Sequence, residues 1–279
     1  MGKCIYCGRE AGFLRKKHPE CERKHLEGRS RIYQMAESAV LKSDVDLDVL
    51  KRQIYQIAAD SFINPTLLQK LLGEAWEWGV TKALEDDLLT EAEEEMLEKF
   101  RKQFDLSKES LDRQGAYTKL VKAAVLRDVL EGKFESHVNV VGDLPFRLQK
   151  SETLIWLFTN VKYYQRRKRR QYVGGYQGVS IRVAKGVYYR VGGFRGKPVD
   201  VSEIVHVDTG LFGITTKHVY FAGDEKAFRI PYRKMVAITP YSDGVGIQRD
   251  AMNARPQIFV TGDGWFTYNL VMNLSEAMG

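Results

Sequence analysis

The stretch MGKCIYCGREAGFLRKKHPEC, residues 1–21, holds all three cysteines of this 279-residue chain. Cys4 and Cys7 form a C-x2-C pair, and after ten residues His18 and Cys21 form an H-x2-C pair. Zinc in structural sites takes four nitrogen and sulfur ligands in a tetrahedron, and two tight pairs joined by a short loop can supply them. The spacing therefore predicts a structural Cys3His site for Zn²⁺, and metal binding would fold the segment.

The residues around the two pairs fit this prediction. Gly8 lets the chain turn directly after the first pair, and Pro19 stands where a helix can begin with the second. The pattern resembles a treble-clef or zinc-ribbon module over residues 1–25. His25 is a spare ligand that we expect to be an exposed helix histidine instead. Three ordinary free thiols, or iron in place of zinc, are the alternatives.

Charge is unevenly distributed along the chain, whose net charge is +7. Residues 1–43 carry 10 Lys and Arg against 5 Asp and Glu, residues 44–110 carry 8 against 16, and the remainder carries 25 against 15. Basic ends thus flank an acidic middle. This segregation favours a polyanionic partner, or homo-oligomers in which the acidic middle of one copy meets the basic surface of another. Simple solvation of two unlike domains is the alternative.

The sequence also bears on the compartment. No signal peptide is recognisable, and the most apolar run, TLIWLF, is far shorter than the roughly 20 residues that span a bilayer. Few cysteines, all in metal-ligand spacing, are typical of a reducing compartment. We therefore expect a cytoplasmic protein without a transmembrane segment.

Residues 26–134 have the 3.6-residue apolar period of helices. Asn64 and Pro65 supply a cap and a first-turn proline, and Thr90 precedes a run of acidic residues that suits the start of a helix. Trp76 and Trp78 are two positions apart, so they point to different sides of one helix, with one in the core and one at a contact surface or with both at the edge of the core. The sequence predicts an α-helical domain here.

From residue 135 the apolar period changes to two, and Val, Ile, Tyr, Phe and Gly become frequent, which is typical of strands. An amphipathic helix, WFTYNLVMNLSEAM, ends the chain. The segment DTGLFGITTKHVYFAGDEKAFRIPYRKMVAITPYSDGVGI resembles bacterial pleckstrin-homology-like and GRAM-type domains over residues 175–278. The predicted class is thus α+β, with a zinc module at 1–25, helices at 26–134 and an antiparallel, barrel-like domain with a closing helix at 135–279. The resemblance implies a binding domain for lipid, peptide or protein.

The stretch YYQRRKRRQYVGGYQG carries five consecutive cations between tyrosines. Like charges in a row repel, so they must face solvent or a polyanion. Guanidinium groups bind phosphates in a bidentate manner, and tyrosine rings stack on unpaired bases. We predict a loop that binds RNA or single-stranded DNA, with anionic lipid, an acidic protein or plain solvation as alternatives. Its residues are Arg166, Arg167, Lys168, Arg169, Arg170, Tyr164 and Tyr172.

Candidate catalytic groups are few. His206 and Asp208 share one face of a predicted strand, and His218 and Lys217 follow across a hairpin predicted in HVDTGLFGITTKH. Two histidines can act as acid and base in metal-independent phosphodiester cleavage, in which the RNA 2′-hydroxyl is the nucleophile and a cation stabilises the transition state. A structural role for each histidine is the alternative, so enzymatic activity stays an open hypothesis.

Two functions follow. In its overall design the chain is similar to antiphage zinc-finger ribonucleases that oligomerise on ring-shaped phage proteins. That resemblance implies an RNA-cleaving effector in antiviral defence, triggered by a phage structural protein. The alternative is a non-enzymatic adaptor whose pleckstrin-like domain binds lipid or protein.

Overall fold

A computed structural model describes residues 2–12, 15–85, 89–138, 140, 142–184, 187–252 and 254–278, without the side chains of residues 168–202. The chain divides into two compact units, Met1–Lys133 and Phe134–Gly279. The first unit is helical and the second is built on one antiparallel sheet. The predicted combination of helices with an antiparallel sheet is therefore confirmed.

Local signals set the helix starts in the first unit. The side-chain oxygen of Asn64 accepts the N–H of Leu67, and Pro65 occupies the first turn. Thr90 forms a capping box with Glu93, in which each residue satisfies a backbone N–H of the other. Both predicted caps are confirmed. The helices are α1 Pro19–Ala39, α2 Leu47–Asp60, α3 Pro65–Ala83, α4 Glu91–Gln103, α5 Lys108–Leu111 and α6 Ala116–Leu130.

Trp76 is central to the core of the helical unit. Its ring is fully buried, and its Nε1–H donates to the carbonyl oxygen of Leu97 at 2.9 Å, so the buried donor is satisfied. Trp78 is only partly buried against the same core. The second half of α1 contributes Ile32 and Ala36 to this core. The two tryptophans thus differ in burial, as their spacing predicts.

The second unit is a seven-stranded sheet with the order β4-β3-β2-β1-β7-β6-β5. All neighbouring strands are antiparallel. Two of the strands, β1 and β2, are several times longer than the others. The strands are β1 Leu154–Ala184, β2 Val187–Thr215, β3 His218–Gly223, β4 Ala227–Pro231, β5 Met235–Tyr241, β6 Gly244–Arg249 and β7 Gln257–Val260.

The sheet is open, which corrects the barrel-like closure predicted from the sequence. A barrel would require its two edge strands, β4 and β5, to pair with each other. Across the described residues these strands instead end the sheet on opposite sides. Closure depends on contacts between distant strands, and the alternation within each strand carries no information about it.

A C-terminal helix, α7 Gly264–Met278, packs on β5, on β6 and on the 3-10 turn Tyr232–Lys234. Its Phe266 is buried, with its ring edge-on to Trp156 at a centroid distance of 4.9 Å. The Oδ1 of Asp263 accepts the N–H of Phe266 and caps the helix start. The predicted closing helix is therefore confirmed.

Two glycines near the end of β2 lie inside the strand. A Cβ on Gly210 would stand 2.1 Å from the carbonyl oxygen of Ala222, and a Cβ on Gly213 would stand 2.7 Å from the ring of Phe146. Glycine is therefore required there for close approach.

The reverse turn is Thr216–Lys217, between the end of β2 and the start of β3. The hairpin predicted in HVDTGLFGITTKH is thus mostly one strand.

Candidate metal centre and basic ribbon

The first ligand pair lies in a tight turn closed by a β-bridge between Lys3 and Glu10. The N–H of Gly8 donates to the carbonyl oxygen of Cys4 at 2.9 Å, and Gly8 has a φ of 73°. This left-handed conformation is unfavourable for residues with a Cβ. The turn brings both cysteine side chains to one side, as the C-x2-C spacing predicts.

The second ligand pair begins α1. His18 is the N-cap residue with extended backbone, Pro19 follows at the first helical position, and Cys21 lies in the first turn. Residues three apart on a helix share a face, so His18 and Cys21 point to the same side. The helix therefore starts at the site, and the start predicted at Pro19 is confirmed.

The four predicted ligands meet at one point. One ligand atom from each of Cys4, Cys7, His18 and Cys21 lies within 4.8 Å of all the others. The Nδ1 of His18 is 3.4 Å from the Sγ of Cys7 and 3.7 Å from the Sγ of Cys21. Tetrahedral zinc, with bonds of about 2.3 Å to sulfur and 2.0 Å to nitrogen, would place such atoms roughly 3.5 Å apart. The group could therefore hold a metal ion such as zinc.

A hydrogen bond fixes the orientation of the histidine ring. The Nε2 of His18 lies 2.8 Å from the carbonyl oxygen of Glu10, which can only accept, so Nε2 carries the proton. The other nitrogen, Nδ1, is then free to coordinate through its lone pair. Metal-binding histidines usually donate their second ring nitrogen in this way.

The thiol groups of Cys4 and Cys21 have unequal pKa values. Desolvation raises the pKa of Cys4, but the backbone N–H groups of Cys7, His18 and Tyr6 outweigh it and hold that pKa at about 6. Burial, followed by the neighbouring Cys7 and Cys4, raises the pKa of Cys21 to about 11. A divalent cation between the sulfurs would offset their mutual repulsion and let all three ionise.

His25 lies outside this ligand group. Its Nδ1 is 3.1 Å from the carbonyl oxygen of Ser61, and its ring lies 4.7 Å from that of Tyr6. The ring of Tyr6 also lies 6.3 Å from that of Phe62. His25 is partly buried rather than exposed, and it joins the N-terminal turn to the loop between α2 and α3. The metal site is thus packed into the helical unit.

The predicted basic loop is part of a long two-stranded ribbon. β1 also pairs with β7 at residues 162–165, and β2 also pairs with β3 at residues 210–214. Within the described backbone, Arg167–Ala184 and Val187–Glu203 pair only with each other, and we call this part the ribbon. All five cations therefore lie in a paired strand, with Arg166 directly before the ribbon and the other four within it, which corrects the predicted loop.

The structure places the predicted RNA-binding residues at the base of the ribbon, which is the end that joins the rest of the sheet at the Arg167–Glu203 pair. The side chains of Arg166 and Arg167 are exposed, and Tyr164 is partly buried with its ring edge-on to His206. The backbones of four others are paired to β2. The side chains of these four lie outside the described part of the chain: Lys168, Arg169, Arg170 and Tyr172.

The ribbon segment accounts for the charge of the whole protein. Residues 167–203 contain nine Lys and Arg and two Asp and Glu, a net of +7, which equals the net charge of the full chain. The ribbon segment thus carries a large excess of positive charge.

The candidate catalytic residues are not brought together. His206 is exposed and lies at the base of the ribbon, where its Nε2 is 3.0 Å from the Oγ1 of Thr209. His218 adjoins Thr215, whose hydroxyl oxygen accepts the backbone N–H of His218 at 2.9 Å. His206 and Thr215 are nine positions apart in β2, which corresponds to about 30 Å of extended strand. One scissile bond cannot lie within reach of both histidines.

Lys217 and Asp208 make structural contacts. The Nζ of Lys217 donates to the carbonyl oxygen of Lys150 at 3.0 Å. The carboxylate of Asp208 is buried and accepts backbone N–H groups from Thr209, Glu225 and Lys226. Desolvation raises the pKa of Asp208, but these hydrogen bonds outweigh it and lower that pKa. Asp208 therefore anchors the turn between β3 and β4.

The sequence reasoning missed Glu152, the centre of a buried polar network. Its Oε1 accepts from the hydroxyl of Thr215 and from the Nδ1 of His218, and its Oε2 accepts from the hydroxyl of Tyr220 and the N–H of Gln149. Burial raises the pKa of Glu152, but these donors outweigh it and lower that pKa. No local motif marks a glutamate whose partners lie about 65 residues away.

None of the described helices is long and apolar enough to cross a membrane. Comparisons of the chain with protein-family models, with curated proteins and with solved structures found no match.

Proposed function

We propose that the chain is a metal-stabilised nucleic-acid-binding protein whose ribbon is the binding element. The observation that carries the proposal is the net charge of +7 on residues 167–203. Cations that neutralise phosphates release condensed counterions, and this release supplies most non-specific affinity for nucleic acids. RNA is the ligand that the sequence analysis predicts, and the proposal retains it as the first to test.

A role in binding rather than catalysis fits the second unit. Four sequential strands, then three, then a closing helix follow the order of pleckstrin-homology-like domains, and we propose that the unit belongs to this type. That fold serves binding in many proteins. RNA cleavage by His206 and His218 is not part of the proposal, because nine positions of extended strand separate His206 from Thr215, which adjoins His218. The antiphage trigger and the oligomer stay predictions.

We assign Zn²⁺ to the Cys3His group on the chemistry of its donors. Three sulfurs and one nitrogen, with no fifth ligand among the described residues, favour a closed structural zinc site. The metal would fix the N-terminal turn to the start of α1. It would stabilise the protein and take no part in a reaction.

The test is a salt titration of purified protein with a labelled 40-nucleotide RNA, read on native and denaturing gels. One variant removes residues 167–203 and joins Arg166 to Ile204 through Asn-Gly, a two-residue turn suited to antiparallel strands. Arg166 and Ile204 are already paired, and all pairing of β1 to β7 and of β2 to β3 lies outside the deletion.

A second variant replaces all five cations at 166–170 with Gln. Each lost phosphate contact should reduce the slope of log K against log salt by about 0.7 for a single strand. The matched control removes the same charge from exposed positions elsewhere, with Gln at Lys70, Lys99, Lys102, Arg233 and Lys234.

We expect both ribbon variants to lose binding and the control to retain it. Equal binding by the ribbon-deleted protein would overturn the proposal. Shortened RNA on the denaturing gel would instead reveal cleavage, and its loss in His206→Ala but not in His218→Ala protein would assign it to the ribbon base. Binding of anionic vesicles in place of RNA would favour the adaptor alternative.

A further inference from the structure

The shape of the ribbon indicates which class of nucleic acid, single-stranded or double-stranded, it can bind. Two paired strands alone form no groove or cleft, so the ribbon cannot enclose a flexible single strand of nucleic acid. Proteins that bind single strands use grooves with stacking platforms. In the ribbon, 18 residues of β1, Arg167–Ala184, run beside β2 without a third strand among the described residues. Such an element is suited to enter a groove of its ligand.

The dimensions favour one groove. Paired strands lie about 4.8 Å apart, and the major groove of B-form DNA, about 12 Å wide, admits a two-stranded ribbon. The major groove of A-form RNA is deep and too narrow for side chains to read. At about 3.3 Å per residue the ribbon is roughly 60 Å long, which exceeds one helical turn of DNA. The ribbon is thus long enough for its outer part to lie in the groove while its base, at residues 167–170, stays near the phosphates.

The distribution of charge supports this placement. Four cations follow one another at 167–170, at the base of the ribbon. Four more lie in the paired strands further from the base, at Arg182, Arg190, Arg195 and Lys197. An element inserted lengthwise in a groove passes phosphates on both rims over its whole length, whereas a surface patch meets them at one place only.

The pairing register adds an independent observation. Gly174 pairs with Gly196, and Gly178 pairs with Gly192. At these two levels along the ribbon, neither strand carries a side chain. Glycine within a strand permits a bend or a close approach by another molecule. Two such levels, four residues apart, would let the ribbon follow the curved floor of a groove.

We propose that the ligand of the ribbon is double-stranded DNA, bound in the major groove. This inference rests on the proposed function, since it presupposes that the ribbon binds nucleic acid. It differs from the single-stranded ligand that the sequence predicts for a loop, because the same residues form a paired strand.

Fluorescence anisotropy with four ligands of one sequence tests it: a 24-base-pair DNA duplex, its single strand, the RNA duplex and the single-stranded RNA, at one salt concentration. We expect the DNA duplex to bind at least about tenfold more tightly than the other three, with a salt slope near −0.9 per phosphate contact. Methyl green, which occupies the major groove, should displace the protein, and netropsin, which occupies the minor groove, should not.

A charge-neutral variant probes the groove itself. Gly178→Val with Gly192→Val adds bulk at one paired level and favours strand structure, so the ribbon should still form. We expect its affinity for the DNA duplex to fall about fivefold or more, and its weak affinity for single strands to be unchanged, because phosphate contacts are retained.

The outcomes separate the two proposals. Tighter binding of single-stranded RNA or of the RNA duplex, or displacement by netropsin alone, would overturn the DNA inference and leave the proposed function in place. Both proposals fail if each of the four ligands binds the full chain and the ribbon-deleted protein with the same affinity.

Discussion

Glu152 and His218 form a buried pair in which the Nδ1–H of His218 donates to the Oε1 of Glu152 at 2.8 Å. The carboxylate precedes β1 and the imidazole begins β3. With β2 between those two strands, the pair ties three neighbouring elements together at one end of the sheet. A histidine predicted to take part in catalysis is thus part of the structural framework.

Glu152→Gln should destabilise the sheet unit by about 2–3 kcal/mol, because the amide NH2 would face donors that now have a charged acceptor. Hydrogen exchange of the β2 and β3 amides, followed by mass spectrometry, reports this unit separately from the helices. The exposed Glu225→Gln is the matched control and should change nothing. Unaltered exchange in the Glu152 variant would show that the network adds no stability.

The contribution of Glu152 should depend on pH in a defined direction. Its pKa in the folded protein is lowered from an ordinary value near 4.3, so its stabilising effect is complete above that value and is lost as the pH falls through the folded pKa. The stability difference between wild type and Glu152→Gln should shrink as the pH falls below about 4. A difference that grows between about pH 4.5 and pH 3 would contradict the direction assigned to the pKa of Glu152.

Loss of a metal ligand should affect the helical unit. Cys7→Ser protein should contain less than about a tenth of the wild-type metal by elemental analysis, and its α1 amides should exchange faster. His25→Ala serves as the control, because His25 bonds to Ser61 and lies outside the ligand group. Full metal content in the Cys7 variant, or loss of metal in the His25 variant, would require a different ligand set.

Two helix glycines should respond oppositely to alanine. A Cβ at Gly28 would lie 2.2 Å from the Oγ of Ser61, so Gly28→Ala should cost about 1–3 kcal/mol through overpacking. A Cβ at Gly73 would have only an ordinary contact, 3.7 Å from Leu111, so Gly73→Ala should stabilise α3 by about 0.5–1 kcal/mol. Urea unfolding of both variants measures this. Stabilisation by Gly28→Ala would contradict the close packing of Gly28 on Ser61, and destabilisation by Gly73→Ala would contradict the open space at Gly73.

Features set by neighbouring residues could be predicted from the sequence. The Cys3His group depends on two short spacings and one turn at Gly8, and the helix starts depend on Asn64 and Thr90. In each case the decisive contact lies within a few residues, so the local pattern contains the physical cause.

Features set by distant residues could not be predicted from the sequence. Five adjacent cations suggest a solvated loop, and only their pairing with residues some 30 positions later makes a strand. Gly210 and Gly213 suggest a turn, although their cause is close packing against Ala222 and Phe146. The open sheet and the Glu152 network likewise rest on long-range contacts.

The ribbon has a consequence for association between copies of the chain. Over the described backbone its two outer edges offer unpaired hydrogen-bonding groups, which are a template for strands of another chain. In free protein the concentrated positive charge keeps such edges apart by mutual repulsion. A bound polyanion would remove that repulsion, so the self-association state of the protein should depend on whether its ligand is present.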